Sequence, residues 1–235
     1  ISMWVKGWPE DVNQSILSKN LIPSIKGLST QLWLDAGDPS TIIRHATTAD
    51  ATLSSSNFND SRFPLTSAFD KNWDNRWMTK QNQFPDVHLK WNFNHSFRIT
   101  KYKIKSLSSG QIYNKRTPQA FLLLGSNDGT NWTVVDDRNA SNQVIGWAEE
   151  EIKSFTVQSP NDFSHYKLQI TQANGSDTWV GFREIDLIGF YPTIQSVSIA
   201  EWQDKSGNGN HAIQSTSSRM PTYSISDSLL NNKSS

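Results

Sequence analysis

Between Val87 and Phe93 the chain alternates without exception. Val87, Leu89, Trp91 and Phe93 are apolar, and His88, Lys90 and Asn92 between them are polar. A period of two puts every apolar side chain on one face of an extended segment, which is an antiparallel β-strand with one dry and one wet side. The pattern returns at Tyr102 and Ile104 among Lys101, Lys103 and Lys105, at Tyr166, Leu168 and Ile170, and at Ile185 and Leu187 beside Glu184, Asp186 and Ile188. Phe121-Leu-Leu-Leu124 is apolar on both faces, as a central strand is. Turn signals fall between these runs: Asn127-Asp-Gly129, Ser159-Pro-Asn161 and Asn174-Gly175. The reading is an all-β chain, a sandwich or jelly roll. One helix is expected, over Pro9 to Lys19.

Composition removes several function classes. There is no Cys, so disulfide frameworks, thiolate metal sites and Cys nucleophiles are excluded together. Lys+Arg and Asp+Glu are both 22, and a chain with no excess positive charge is a poor binder of nucleic acid. No stretch approaches the ~18 apolar residues of a membrane span. Nucleophile elbows, zinc-protease helices, Walker loops and dinucleotide fingerprints do not occur, and the reading is of no enzyme.

A set of motifs in the middle of the chain stands in one register: Ala68-Phe-Asp70 with Asn75-Arg-Trp77, Gly125-Ser-Asn-Asp-Gly-Thr-Asn-Trp132, Trp147 before Ser154-Phe-Thr-Val157, Tyr166-Lys-Leu-Gln-Ile170 and Gly181-Phe-Arg-Glu-Ile-Asp-Leu-Ile-Gly189. Residues 44–191 thereby resemble the discoidin family, the coagulation-factor C-type domains that include the family 32 carbohydrate-binding modules. The resemblance implies an eight-stranded antiparallel jelly-roll β-sandwich that binds rather than catalyses.

The flanks resemble something else. Leu32-Trp-Leu-Asp-Ala36 with Asp38-Pro-Ser-Thr41, and later Trp202-Gln-Asp-Lys-Ser-Gly-Asn-Gly-Asn-His-Ala212, are similar to the opening of concanavalin-like, laminin-G-type lectin modules. Residues 1–43 would begin such a module, 44–191 would be inserted in its first hairpin, and 192–235 would continue it, with more to follow beyond Ser235. Insertion at a loop tip is tolerated when the inserted domain's ends lie close together. The flanks are expected to form a small additional β unit containing Trp33 and Trp202.

Asp70-Lys-Asn72-Trp-Asp74-Asn75 gathers the hard oxygens that calcium prefers. It does not complete an EF-hand, because Asn75 and Gln81 stand where Gly and Glu are needed. The discoidin resemblance implies a structural calcium held by Asp70, Asn75 and Glu184 with carbonyls from Ala68 and Asn72; the family's usual Gly after Asp70 is Lys71 here. Sugar sites pair aromatic platforms with Arg, Asn or His donors. The candidates on loops are Phe58 and Arg62, Trp73 and Phe84, Tyr113 and Arg116, and Asn174 and Trp179. Lys101, Lys103 and Lys105 lie on one strand face, which reads as a solvated face that blocks edge pairing, the alternative being a basic row for a sulfated glycan or phosphate. The expected role is a structural or adhesion module of a large virion or cell-surface protein, located on a virion or outside the cell. Its partners would be proteins of the same assembly or cell-surface glycans. The alternative is an accessory carbohydrate-binding module of a glycoside-active enzyme.

Overall fold

The computed structural model describes residues 38–55, 62–79, 87–108, 114–175, 179–193 and 197–223. The helix expected over Pro9 to Lys19, and Trp33, lie outside these residues. The strands in chain order are β1 (Ile42–His45), β2 (Ala51–Ser55), β3 (Trp77–Met78), β4 (Val87–Lys105), β5 (Pro118–Ser126), β6 (Thr133–Arg138), β7 (Ile152–Thr156), β8 (Phe163–Ala173), β9 (Gly181–Phe182), β10 (Glu184–Phe190), β11 (Val197–Ser198), β12 (Glu201–Trp202), β13 (Ala212–Ile213) and β14 (Thr222–Tyr223). The chain divides into two compact units, Ile1–Arg44 with Phe190–Ser235, and His45–Gly189.

The larger unit is an antiparallel β-sandwich organised by β4. The first half of β4 pairs with β2 and β8, and its second half pairs with β7. Its pairing with β8 shifts register between Asn92 and Phe97, where Phe93 and Phe97 stack at 4.9 Å. One strand therefore serves both layers, as irregular ladders permit. Leu89, Leu168 and Leu123 form one inward row across β4, β8 and β5, all fully buried. The residues expected inside on β4, β8 and β10 are buried, from Val87 through Leu187, and so are Phe69 and Trp77. Trp77 packs against Phe182 at 5.2 Å, and Phe69 meets Trp91 edge-on at 5.9 Å.

Two expectations need correction. The alternation that puts Tyr166, Leu168 and Ile170 inside gives no phase for Phe121–Leu124: Phe121 and Leu123 point inward, while Leu122, half-buried, and Leu124, buried, pair with Gln169 and Lys167 on the opposite face. A run apolar at every position carries no phase, and a slip of one residue exchanges the faces. Nor does β10 have a wet side: all seven of its residues are buried, Glu184 and Asp186 included.

In the smaller unit, Ile42 pairs with Trp202 and Ile43 with Glu201, antiparallel, and Trp202 pairs onward with Ala212. Ile42, Ile199 and Trp202 make a small core backed by Ala212. Asp204 ties the turn between β12 and β13. Its Oδ1 accepts from the Ser206 amide at 2.8 Å and its Oδ2 from Ser206 Oγ at 2.6 Å and the Asn210 amide at 3.1 Å. Gly207 and Gly209 hold φ of +88° and +73° there, which explains the Gly-Asn-Gly spacing.

Candidate functional site

Two loops and one strand converge where the sequence places the metal candidates. Asp70 folds its own loop: Oδ1 accepts from the Asn72 amide at 2.9 Å and Oδ2 from Asn75 Nδ2 at 2.7 Å. Lys71 stands at φ +64°, a left-handed conformation that explains why Gly suits this position. Its side chain bonds Asp186 Oδ1 at 2.5 Å and lies over the Phe69 ring at 5.3 Å. Burial works to raise the Asp186 carboxyl, but His45 Nδ1 at 2.6 Å and Lys71 outweigh it and hold it low.

Glu184 arrives from β10 fully buried, and its Oε2 accepts the Lys71 amide at 3.1 Å. Burial pushes its carboxyl up to about 8, against the pull of the Lys71 charge, and Asp70 adds to the rise. Among the described residues, Glu184 Oε1 and Asn75 Oδ1 are both buried without a hydrogen-bond partner. Orphaned buried oxygens are costly unless something satisfies them. Both belong to the residues that the discoidin resemblance names as calcium ligands, so the donor set fits a hard cation. Among the described residues no group of three His, Asp or Glu side chains is arranged to hold a metal ion.

The back of this loop is gripped by cations that sequence reading missed. Arg183 donates to the carbonyls of Trp73 and Asp74 and to Glu150 Oε1 at 2.7 Å. Lys105 donates to the Trp73 carbonyl at 3.0 Å. Lys105 is therefore an anchor and not part of a solvated row, whereas Lys101 is exposed. Their signal in the sequence was only an unremarkable charge at a strand end.

The same end of the sandwich holds three of the sugar candidates. The Arg183 amide donates to the Lys105 carbonyl, Leu107 to Thr117 Oγ1, Asn174 to the Thr117 carbonyl and Val180 to Thr79 Oγ1. This brings Arg116, Asn174 and Trp179 onto neighbouring loops. The Arg116 guanidinium sits 4.9 Å from the Trp179 ring centre, and all three residues are half-buried. Arg62 instead lies 5.5 Å over the Phe63 ring, which also carries Arg76 at 4.5 Å. Trp73 is half-buried in the metal-type loop. Phe58, Phe84 and Tyr113 lie outside the described residues.

These features define a β-sandwich with a loop cluster at one end. The chain belongs to the F5/8 type C domain family, whose model matches residues 50–185. Among curated protein sequences, none matches the chain. Of solved structures, the family 32 carbohydrate-binding module of Clostridium perfringens NanJ, in complex with galactose, superposes with a TM-score of 0.50 at 22% identity; 63% of this chain and 99% of that one are covered. The F5/8 type C domain of a Bacteroides fragilis protein gives a TM-score of 0.50 at 13% identity, covering 64% of this chain and 98% of that one. Among the described residues, no helix is long and apolar enough to cross a membrane.

Proposed function

We propose that the sandwich is a non-catalytic glycan-binding module and that its loop end carries the ligand. The observation that supports this most is the Arg116–Trp179 pair beside Asn174, an aromatic surface next to fixed hydrogen-bond donors. Aromatic rings cover the apolar face of a sugar, and Arg and Asn read its hydroxyls. The NanJ module solved with galactose makes galactosides the first ligands to try. Titration calorimetry with galactose and galactosyl disaccharides tests this. Trp179→Ala and Arg116→Ala should each weaken binding tenfold or more with little change in melting temperature. Absence of binding to every neutral glycan on an array, or unchanged binding by both variants, would overturn it.

Calcium is the proposed cofactor, held by Asp70, Asn75 and Glu184 with the carbonyls of Ala68 and Asn72. It would take the place of the proton on the buried Glu184 carboxyl and lock the loop that Trp77 ties to the core.

The domain organisation proposed is a discoidin-type sandwich inserted in a concanavalin-like module. The pairing of Ile42 with Trp202 within the smaller unit supports it. The setting follows as an extracellular or virion surface, with packing or adhesion as the role. The family 32 relatives favour an accessory module of a glycoside-active enzyme as the second reading. The remainder of the open reading frame separates the two: a glycosidase domain supports the second, and further sandwich repeats or capsid motifs the first.

A further inference from the structure

The wet face of the main sheet carries an arrangement unrelated to the loop end. Lys90 on β4 and Lys167 on β8 stand directly opposite each other. Like charges directly opposite on a sheet repel. Their cross-strand neighbours on that face are Ser54, Leu124, Asn92 with His165, and His88 with Gln169, and none of these is acidic. What receives both ammonium groups is one ring: Lys167 Nζ lies 4.5 Å and Lys90 Nζ 5.7 Å from the centre of Trp132.

The ring is held in place. Trp132 follows a turn in which Asp128 Oδ1 accepts from the Thr130 amide at 2.8 Å, the Asn131 amide at 2.7 Å and Ser126 Oγ at 2.9 Å. Its Oδ2 accepts from Asn131 Nδ2 at 2.6 Å. Trp132, Lys90 and Lys167 are all half-buried, so part of each residue faces solvent. Partial burial and the Lys90 charge both depress the Lys167 pKa.

We propose that Trp132, Lys90 and Lys167 form a second saccharide site, on the open sheet face, for a sugar bearing a carboxylate or a sulfate. The anion would sit between the two ammonium groups and relieve their repulsion, and the sugar ring would lie against the indole. Asn92 and His165 flank the pair and can bond hydroxyls. The proposal rests on the glycan-binding reading, but it uses none of the loop-end residues.

The test is titration of the full chain with a galacturonate trisaccharide and a heparin-derived tetrasaccharide, with neutral galactotriose and a polyglutamate peptide as controls. The Trp132 indole N–H is followed by nitrogen-15 NMR. At least one acidic saccharide should shift that resonance. Lys90→Gln combined with Lys167→Gln should weaken its binding tenfold or more without lowering the melting temperature, while Trp179→Ala leaves it unchanged. The carboxylate and sulfate arms tell which anion is read. The proposal is overturned if neither acidic saccharide moves the indole, if the double variant binds as the parent does, or if polyglutamate binds equally well. Neutral galactosides bound at the loop end in that case leave the glycan reading intact; binding of no saccharide of either kind removes both.

Discussion

Glu184 accepts the backbone amide of Lys71 at 3.1 Å through one carboxylate oxygen and leaves the other buried with no partner among the described residues. The contact joins the last strand of the sandwich to the loop that Asp70 starts. Calcium should therefore act on folding stability as well as on the loop. A ligand that binds only the folded state at 100 times its Kd stabilises by about 2.7 kcal/mol. Millimolar calcium is expected to raise the melting temperature over that in chelator by several degrees. Glu184→Gln should abolish the rise, and since burial already keeps the metal-free Glu184 carboxyl largely protonated near neutral pH, the neutral amide should melt no lower than the parent in chelator. Identical parent melting curves with calcium and with chelator would remove the metal from the account.

Trp77 is 1% exposed and links this loop to the core through Phe182. Trp77→Ala should cost about 3–5 kcal/mol by denaturant unfolding. Calcium affinity should fall with it, because the loop loses its inner support. A variant that loses stability while binding calcium as before would separate the two roles.

Tyr102 Oη donates to Asp136 Oδ2 at 2.5 Å, and Asp136 is completely buried. Burial first, and the Asp136 charge second, raise the pKa of the phenol, which stands as the donor in this bond. Arg138 supplies the other bonds to that carboxylate, at 2.8 and 3.0 Å. Tyr102→Phe removes one donor from a buried charge and should cost about 1–3 kcal/mol in equilibrium unfolding. A loss within experimental error would mean that Arg138 alone satisfies Asp136.

The amide and side-chain bonds from Asn131, with those from Thr130 and Ser126, hold the Asp128 carboxyl well below its ordinary value of 3.8. A depressed folded-state pKa stabilises fully above the unfolded value and is lost as pH falls through the folded one. The parent should therefore melt above Asp128→Asn at pH 6, and the gap should close progressively as pH drops from about 4 toward 2. A gap that is constant across this range would point to lost geometry and not to lost charge.

Gly189 lies so close to β4 that a Cβ there would meet the Arg98 carbonyl oxygen at 1.9 Å. Backbone cannot rotate away as a side-chain tip can. Gly189→Ala should cost about 1–3 kcal/mol or more, read from the denaturation midpoint. An unaffected midpoint would show that β10 can shift outward.

Much of the fold was legible because period-two alternation is a direct consequence of strand geometry. Val87 to Phe93 and Tyr166 to Ile170 declare both their conformation and their buried face. The motifs from Ala68 to Gly189 placed the family, and the Gly-Asn-Gly turn after Asp204 named its own backbone conformation. Where the pattern carried no phase, in Phe121 to Leu124, only pairing with β8 decided which residues faced inward. Tertiary structure alone made Glu184 and Asp186 buried acids, since a strand covered on both sides has no wet face to reveal. It alone set Lys105 and Arg183 on the carbonyls of the Asp70 loop, Arg116 against Trp179, and two lysines over Trp132. Each of those meetings joins residues far apart in the chain, and local propensity holds no information about which strand ends and loops the fold will bring together.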